Sequence, residues 1–122
     1  MKICMIGTGY VGLVSGTCFA DIGHQVYCVD KDVSKINKLN SGISPIYEPG
    51  LDELIQKNYK AKRLTFTTDL KKAITASDII FICVGTPNIK GSLKVDLSFV
   101  FKCTKEILSI TKKKKIIVTK ST

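Results

Sequence analysis

Three glycines, Gly7, Gly9 and Gly12, stand in the order G-x-G-x-x-G in "GTGYVG", between an apolar run and a helical pattern. The run before them, "ICMIG" (3–7), reads as a strand, and the stretch after them reads as a helix to about Ile22, closed by Gly23. A second apolar run, "QVYCVD" (25–30), ends in Asp30, 18 residues after Gly12. A strand, a glycine turn, a helix and a second strand ending in an acid make the opening of a parallel α/β unit. Alone the glycine pattern is weak; in this context it is specific.

The rest of the chain keeps the alternation. Asp32 is placed to cap a helix carrying Val33, Ile36 and Leu39 on one face. "GISPIYEPG" (42–50) holds two prolines and reads as a loop, followed by a short helix over "LDELIQKNY". "RLTFTT" (63–68) is a short strand, with Asp69 or Thr68 capping the helix "LKKAI". "DIIFICVG" (78–85) is the most apolar strand, as expected at the centre of a sheet covered on both faces. After a loop from Thr86 to about Val95, Asp96 is placed to cap a long helix with Leu97, Val100, Phe101, Thr104, Ile107 and Leu108 at spacings of three and four. "KIIVTKST" (115–122) is a fifth strand. The pattern predicts a doubly wound parallel sheet of the Rossmann type, one domain over 1–122, with strand order about 3-2-1-4-5.

Composition closes off other classes. Residues 3–20 carry no charge, which raises the possibility of a membrane or export segment. Gly7, Gly9, Gly12 and Gly16, with Thr8, Ser15 and Thr17, argue against a spanning helix, and signal cleavage near residue 20 would destroy the glycine turn. The lack of charge instead fits a central strand and a helix packing its small face on the sheet. Five scattered cysteines (4, 18, 28, 83 and 103), with no C-x-x-C and no Cys/His cluster, predict free thiols in a reducing, cytoplasmic setting and no metal site. His24, the one histidine, reads as a turn residue. The formal charge of +9 comes from 18 lysines and one arginine, against ten acids. A nucleic-acid surface competes with a solvated one; the lysines are spread along the chain and arginine is nearly absent, which favours the solvated reading. The dense "KKKK" (112–115) falls where a helix pattern ends and suits the negative end of that helix.

Each part of the glycine turn has a physical task. Gly7 permits the tight turn, Gly9 lets a pyrophosphate reach the backbone, and Gly12 lets the helix pack closely on the strand. The pyrophosphate then meets helix N–H groups and the positive end of the helix dipole. Asp30 can accept from both hydroxyls of an adenosine ribose, and its charge opposes a 2′-phosphate, which favours NAD over NADP; the adjacent Lys31 pulls slightly the other way. "VD" (29–30), "VGTP" (84–87) and "KST" (120–122) end strands and should converge on one crevice. Thr86 stands either beside the cofactor at the topological switch or as a capping hydroxyl, and Ser121 and Thr122 either near the nicotinamide or at the start of a turn.

Taken in order, "IGTGYVGLVSG", "VDKDVSKINKLNSGISPIYEPGL", "RLTFTTD", "FICVGTP" and "VTKST" resemble the N-terminal domain of the UDP-glucose 6-dehydrogenase family, in the wider group of UDP-glucose/GDP-mannose dehydrogenases. The resemblance covers essentially the whole chain. It implies an NAD-dependent nucleotide-sugar 6-dehydrogenase, in which a sugar C6 alcohol becomes a carboxylate through a thioester intermediate, with two NAD consumed. It implies that Gly7, Gly9, Tyr10, Val11 and Gly12 line the dinucleotide, with Asp30 on the ribose and Lys35 reaching the same region. Thr86 and Pro87 would flank the cofactor, Ser121 and Thr122 would lie near the nicotinamide, and Thr122 would help position a catalytic water. In the family the nucleophilic cysteine, the UDP-sugar site and the long helix of the homodimer lie beyond the part that these residues match. None of the five cysteines here falls in the family's catalytic motif, so the chain by itself is expected to bind NAD and catalyse nothing. "NIKGSLKVDLS" (88–98) departs from the family's shorter acidic run, which leaves that loop's conformation open. UDP-glucose oxidised to UDP-glucuronate is the leading expectation. The alternatives are a GDP-mannose or UDP-N-acetyl-mannosamine dehydrogenase, another Rossmann dehydrogenase, or a non-catalytic dinucleotide- or nucleic-acid-binding module.

Overall fold

The computed structural model describes residues 1–120. Its elements run β1 (Lys2–Ile6), α1 (Tyr10–Asp21), β2 (Gln25–Val29), α2 (Val33–Asn40), α3 (Leu51–Lys60), β3 (Leu64–Thr67), α4 (Leu70–Ala76), β4 (Ile79–Ile82), α5 (Ser98–Ile110) and β5 (Ile116–Thr119). The strands form one sheet in the order β3-β2-β1-β4-β5, every pair parallel, as the alternation predicts. On β1, Ile3 pairs with Val26 and Ile79, and Ile6 with Val29 and Ile82. The strand period of two then divides the core. Ile3 and Met5 join Leu13, Ile36, Ile55 and Leu64 in the layer under α1, α2 and α3. Cys4 and Ile6 join Ala73, Ile80, Cys103 and Ile107 under α4 and α5.

The uncharged run is explained by this placement. α1 buries Gly12, Leu13, Gly16, Thr17 and Ala20 against the sheet. A β-carbon on Gly16 would lie 2.9 Å from Cys28 Sγ and 3.0 Å from Met5 Cγ, so the helix sits on the strands with no room for a side chain there. No helix among the described residues is long and apolar enough to cross a membrane.

Two helix faces differ from expectation, both for geometric reasons. In α2, Ile36 and Leu39 are buried but Val33 is 59% exposed. At 100° per residue, Val33 lies about 120° round the helix from Leu39 and clears the sheet. In α5 the inward stripe is Val100, Cys103, Ile107 and Ile110, while Phe101 and Leu108 are 61% and 64% exposed. Each of these two follows an inward residue by one position and is turned about 100° to the flank. Leu97 precedes the helix and is also exposed.

The caps follow the chemistry of short polar side chains. Asp32 Oδ1 accepts from the Lys35 N–H at 3.1 Å, and Asp69, rather than Thr68, accepts from the Lys72 N–H at 3.0 Å. Asp96 accepts from the Ser98 N–H at 2.9 Å, one position further from the helix than a cap. The 88–98 loop folds back on itself: Asn88 bridges Val95 in antiparallel fashion, and the Ile89 N–H donates to the Lys94 carbonyl at 2.8 Å. Lys115 serves a different helix end from the one expected. Its ammonium donates to the carbonyls of Ile74, Thr75 and Ser77, at the C-terminal end of α4.

The single arginine is also structural. Arg63 Nε donates to the Ala20 carbonyl (3.2 Å) and to Oδ1 of the fully buried Asn58 (2.9 Å), whose amide donates to Asp21 Oδ1 (3.1 Å). Lys57 adds an ion pair to Asp21 at 3.1 Å. This network ties the end of α1 to α3 and to the entry of β3. Asn58→Leu would strand Arg63 and Asp21 without their buried partner. It should cost about 1–3 kcal/mol of unfolding free energy, seen as a lower urea midpoint at unchanged slope.

Candidate functional site

A cleft of about 900 Å³ opens at the carboxyl ends of β1, β2 and β4, where ligands bind in open α/β sheets. Its floor is the glycine turn. Gly7 has φ +104°, its N–H donates to the Val29 carbonyl at 2.8 Å, and a β-carbon there would lie 2.7 Å from the Cys83 carbonyl oxygen. Gly12 approaches the turn from the other side: its β-carbon would fall 1.9 Å from the Gly7 oxygen. Gly9 is the N-cap of α1, and nothing lies within 4 Å of where its β-carbon would be. The helix's first backbone bond is from the Leu13 N–H to the Gly9 carbonyl, and no side chain caps the end. The N–H groups of the first turn have no intrahelical acceptor, and Gly9, Tyr10 and Val11 line the cleft with the positive end of the helix behind them.

Asp30 stands at the end of β2 with its side chain only 17% exposed. Oδ2 accepts from the Thr8 N–H (3.0 Å) and the Thr8 hydroxyl (2.7 Å), and Oδ1 from the Asp32 N–H (3.0 Å). Lys35 Nζ lies 3.8 Å from Oδ2. Burial pushes this carboxyl upward, but the Asp32 and Thr8 hydrogen bonds and the Lys35 charge together outweigh it, so Asp30 sits below the ordinary carboxylate value and is ionised at neutral pH. Nearby, Lys31 Nζ pairs with Glu106 of α5 at 3.1 Å. Tyr10 donates its phenol proton to Glu48 Oε2 at 3.1 Å, linking the start of α1 to the 42–50 loop.

The predicted residues converge on this cleft. Gly7, Gly9, Tyr10, Val11, Asp30, Lys35, Thr86 and Pro87 all line it. Gly12 lies behind the turn, where it sets the approach of α1 and is not part of the lining. Ser121 and Thr122 fall outside the described residues. Sequence reasoning missed Thr8, Phe99, Lys102 and Glu106, which also line the cleft, whereas Lys120, in the "KST" segment expected there, does line it. Thr8 carried a usable signal, a hydroxyl in the turn that faces the acid of the next strand; the α5 residues carried none. Cys83 and Cys103 also line the cleft, but desolvation pushes both thiols up to about 11. Cys4 is pushed up to about 12 and Cys28 still further, again by burial. These four thiols stay protonated at neutral pH and are poor nucleophiles. No metal-ligating cluster occurs among the described residues.

The family model for the NAD-binding domain of UDP-glucose/GDP-mannose dehydrogenases matches residues 1–122. UDP-glucose 6-dehydrogenase of Rhizobium meliloti is 56% identical over 122 residues, covering 100% of this chain and 28% of the relative. UDP-glucose 6-dehydrogenase TuaD of Bacillus subtilis is 56% identical over 121 residues, covering 99% of this chain and 26% of the relative. Among solved structures, a ternary complex of GDP-mannose dehydrogenase from Pseudomonas aeruginosa superposes with a TM-score of 0.93 at 42% identity, over 100% of this chain and 28% of that one. The chain thus spans between a quarter and a third of the length of these relatives.

Two outcomes follow from the geometry. Gly12→Ala forces a β-carbon into the Gly7 oxygen and should lower stability by about 1–3 kcal/mol or more, measured by thermal unfolding. Because the folded Asp30 carboxyl lies below its ordinary 3.8, the stability it adds is present above that value and is lost as pH falls through the folded one. Asp30→Asn should therefore be less stable than the parent at pH 7, and the gap should close below about pH 4 in urea titrations.

Proposed function

The chain belongs to the UDP-glucose/GDP-mannose dehydrogenase family as its NAD-binding domain, and on that premise we propose how it holds the cofactor and what the whole protein does with it. The pyrophosphate lies over Gly7 and Gly9 at the N-terminus of α1, with Tyr10 and Val11 beside it. Gly12 sets the depth of the turn. The adenosine ribose lies on Asp30, within reach of Lys35. The nicotinamide end lies toward Thr86 and Pro87, with Ser121 and Thr122 nearby and Thr122 helping to position a catalytic water. NAD, when bound, supplies a hydride acceptor at its nicotinamide ring. What this chain contributes is orientation, charge complementarity and the exclusion of competing anions. The observation that carries the reading is an ionised carboxylate held in place at the end of β2, beside a glycine turn left open for a phosphate.

The whole protein is proposed to be an NAD-dependent oxidoreductase converting UDP-glucose to UDP-glucuronate with two NAD. The names of the two relatives at 56% identity support that substrate, and a GDP-sugar is the second reading, favoured by the GDP-mannose dehydrogenase neighbour. Residues 1–122 form the N-terminal unit in this proposal; the catalytic cysteine, the UDP-sugar site and the dimer helix belong to segments C-terminal to it. The whole protein is proposed to be a cytoplasmic homodimer. Nucleic acid is not proposed as a partner. In support, several lysines are already engaged: Lys57 on Asp21, Lys31 on Glu106, Lys35 on Asp30 and Lys115 on α4.

Titration calorimetry of the 122-residue chain with NAD, NADP and a nonspecific oligonucleotide tests the reading. NAD should bind, and Asp30→Ala should weaken it about ten- to a hundredfold, the worth of charge-assisted hydrogen bonds to the ribose. Tight, steeply salt-dependent oligonucleotide binding with no heat from NAD would overturn it.

A further inference from the structure

The usual argument for excluding a 2′-phosphate rests on the charge of the acid at the end of the second strand. In this cleft that charge does not act alone. Lys35 Nζ lies 3.8 Å from the Asp30 carboxylate, whereas Lys31, the next residue in the chain, lines the cleft with its ammonium on Glu106. The Lys35 ammonium would welcome a phosphate if the Asp30 carboxylate could turn aside. Thr8 prevents the turn. It is fully buried, and both its N–H (3.0 Å) and its hydroxyl (2.7 Å) donate to the same oxygen, Oδ2. The Asp32 N–H holds the other oxygen at 3.0 Å. Any rotation that moved Asp30 away from the ribose position would break bonds to an ionised group in a poorly solvated corner, where such bonds are strong.

We propose that Thr8 is a positioning residue that sets the preference for NAD over NADP, by locking the Asp30 carboxylate in place beside the Lys35 ammonium. The proposal rests on the reading of this cleft as the NAD site with the ribose on Asp30. The backbone N–H would be supplied by any residue but proline at position 8; a hydroxyl at that reach is supplied by threonine or serine. Sequence position therefore decides between a carboxylate held at two points on Oδ2 and one held at a single point.

The test is calorimetry with NAD and NADP on the parent chain and on Thr8→Val, Thr8→Ala and Thr8→Ser, with far-UV circular dichroism to confirm folding. Thr8→Val keeps the shape and removes the hydroxyl. It should lower the ratio of NAD to NADP affinity about tenfold, the worth of one charge-assisted bond, with NAD binding weakened and NADP binding held or strengthened. Thr8→Ala should behave as Thr8→Val does, and decides the question if the valine variant does not fold. Thr8→Ser should keep the parental ratio. Equal weakening of both cofactors, with the ratio unchanged, would assign Thr8 a packing role only and overturn the proposal; so would a serine variant that behaves like valine. A parent chain that binds NAD without preferring it to NADP sinks the proposal and leaves the NAD site standing. A parent that binds neither removes both.

Discussion

The contact between Gly12 and the Gly7 oxygen is the constraint on which the rest of the molecule turns. There is no room for even a methyl group at that point. Backbone therefore meets backbone where α1 begins, and the helix axis is fixed against β1 before any side chain contributes. The next points along the same face, Gly16 and Ala20, continue the close approach and press the helix onto Met5 and Cys28. From this docking follow the opening of the cleft at Gly9, the aim of the helix's N–H groups, and the burial of Thr8 beneath the turn. A chain with larger residues on this face would have to lift α1 off the sheet, and the cleft floor would lift with it.

Charge is arranged around that floor with economy. The molecule carries a large excess of lysine, yet two of the lysines that line the cleft are matched by acids, Lys35 by Asp30 and Lys31 by Glu106. Elsewhere lysine and arginine side chains do structural work at helix ends: Lys115 covers the carbonyls at the end of α4, and Arg63 those at the end of α1. A cation at a helix C-terminus lowers the cost of exposed carbonyl groups, so part of the basic excess is absorbed by the fold.

The architecture was legible in the sequence because it is written in local periods. Alternating strands and helices, the glycine turn, and Asp30 at the end of the second strand all lie within short windows, and Asp32 and Asp69 announce the helices they cap. What escaped depends on partners far apart in the chain or on rotation about a helix axis. Lys115 and α4 are about forty residues apart, and nothing in "KKKK" points to Ile74 rather than to the preceding helix. Phe101 and Leu108 fit an amphipathic spacing, yet they flank the stripe that meets the sheet, because a window of threes and fours admits more than one face. Glu106 and Phe99 reach the cleft only through the packing of α5 across β4. Thr8 lies between these cases: its contact spans 22 residues, but both ends fall on strand termini that the pattern had already placed side by side.

The place of β1 at the middle of the sheet has a consequence for how the chain is made. One of its neighbours, β2, is about twenty residues away, whereas the other, β4, pairs at a separation of 76, as Ile3 with Ile79. Ribosomes add about 5–20 residues per second, so about 4–15 seconds separate the emergence of β1 from that of β4. For that interval β1 has one hydrogen-bonding edge open and one face uncovered. After Lys2 its side chains carry no charge to discourage association. The same lack of charge over residues 3–20 that suits the finished core leaves this strand open to association until β4 arrives.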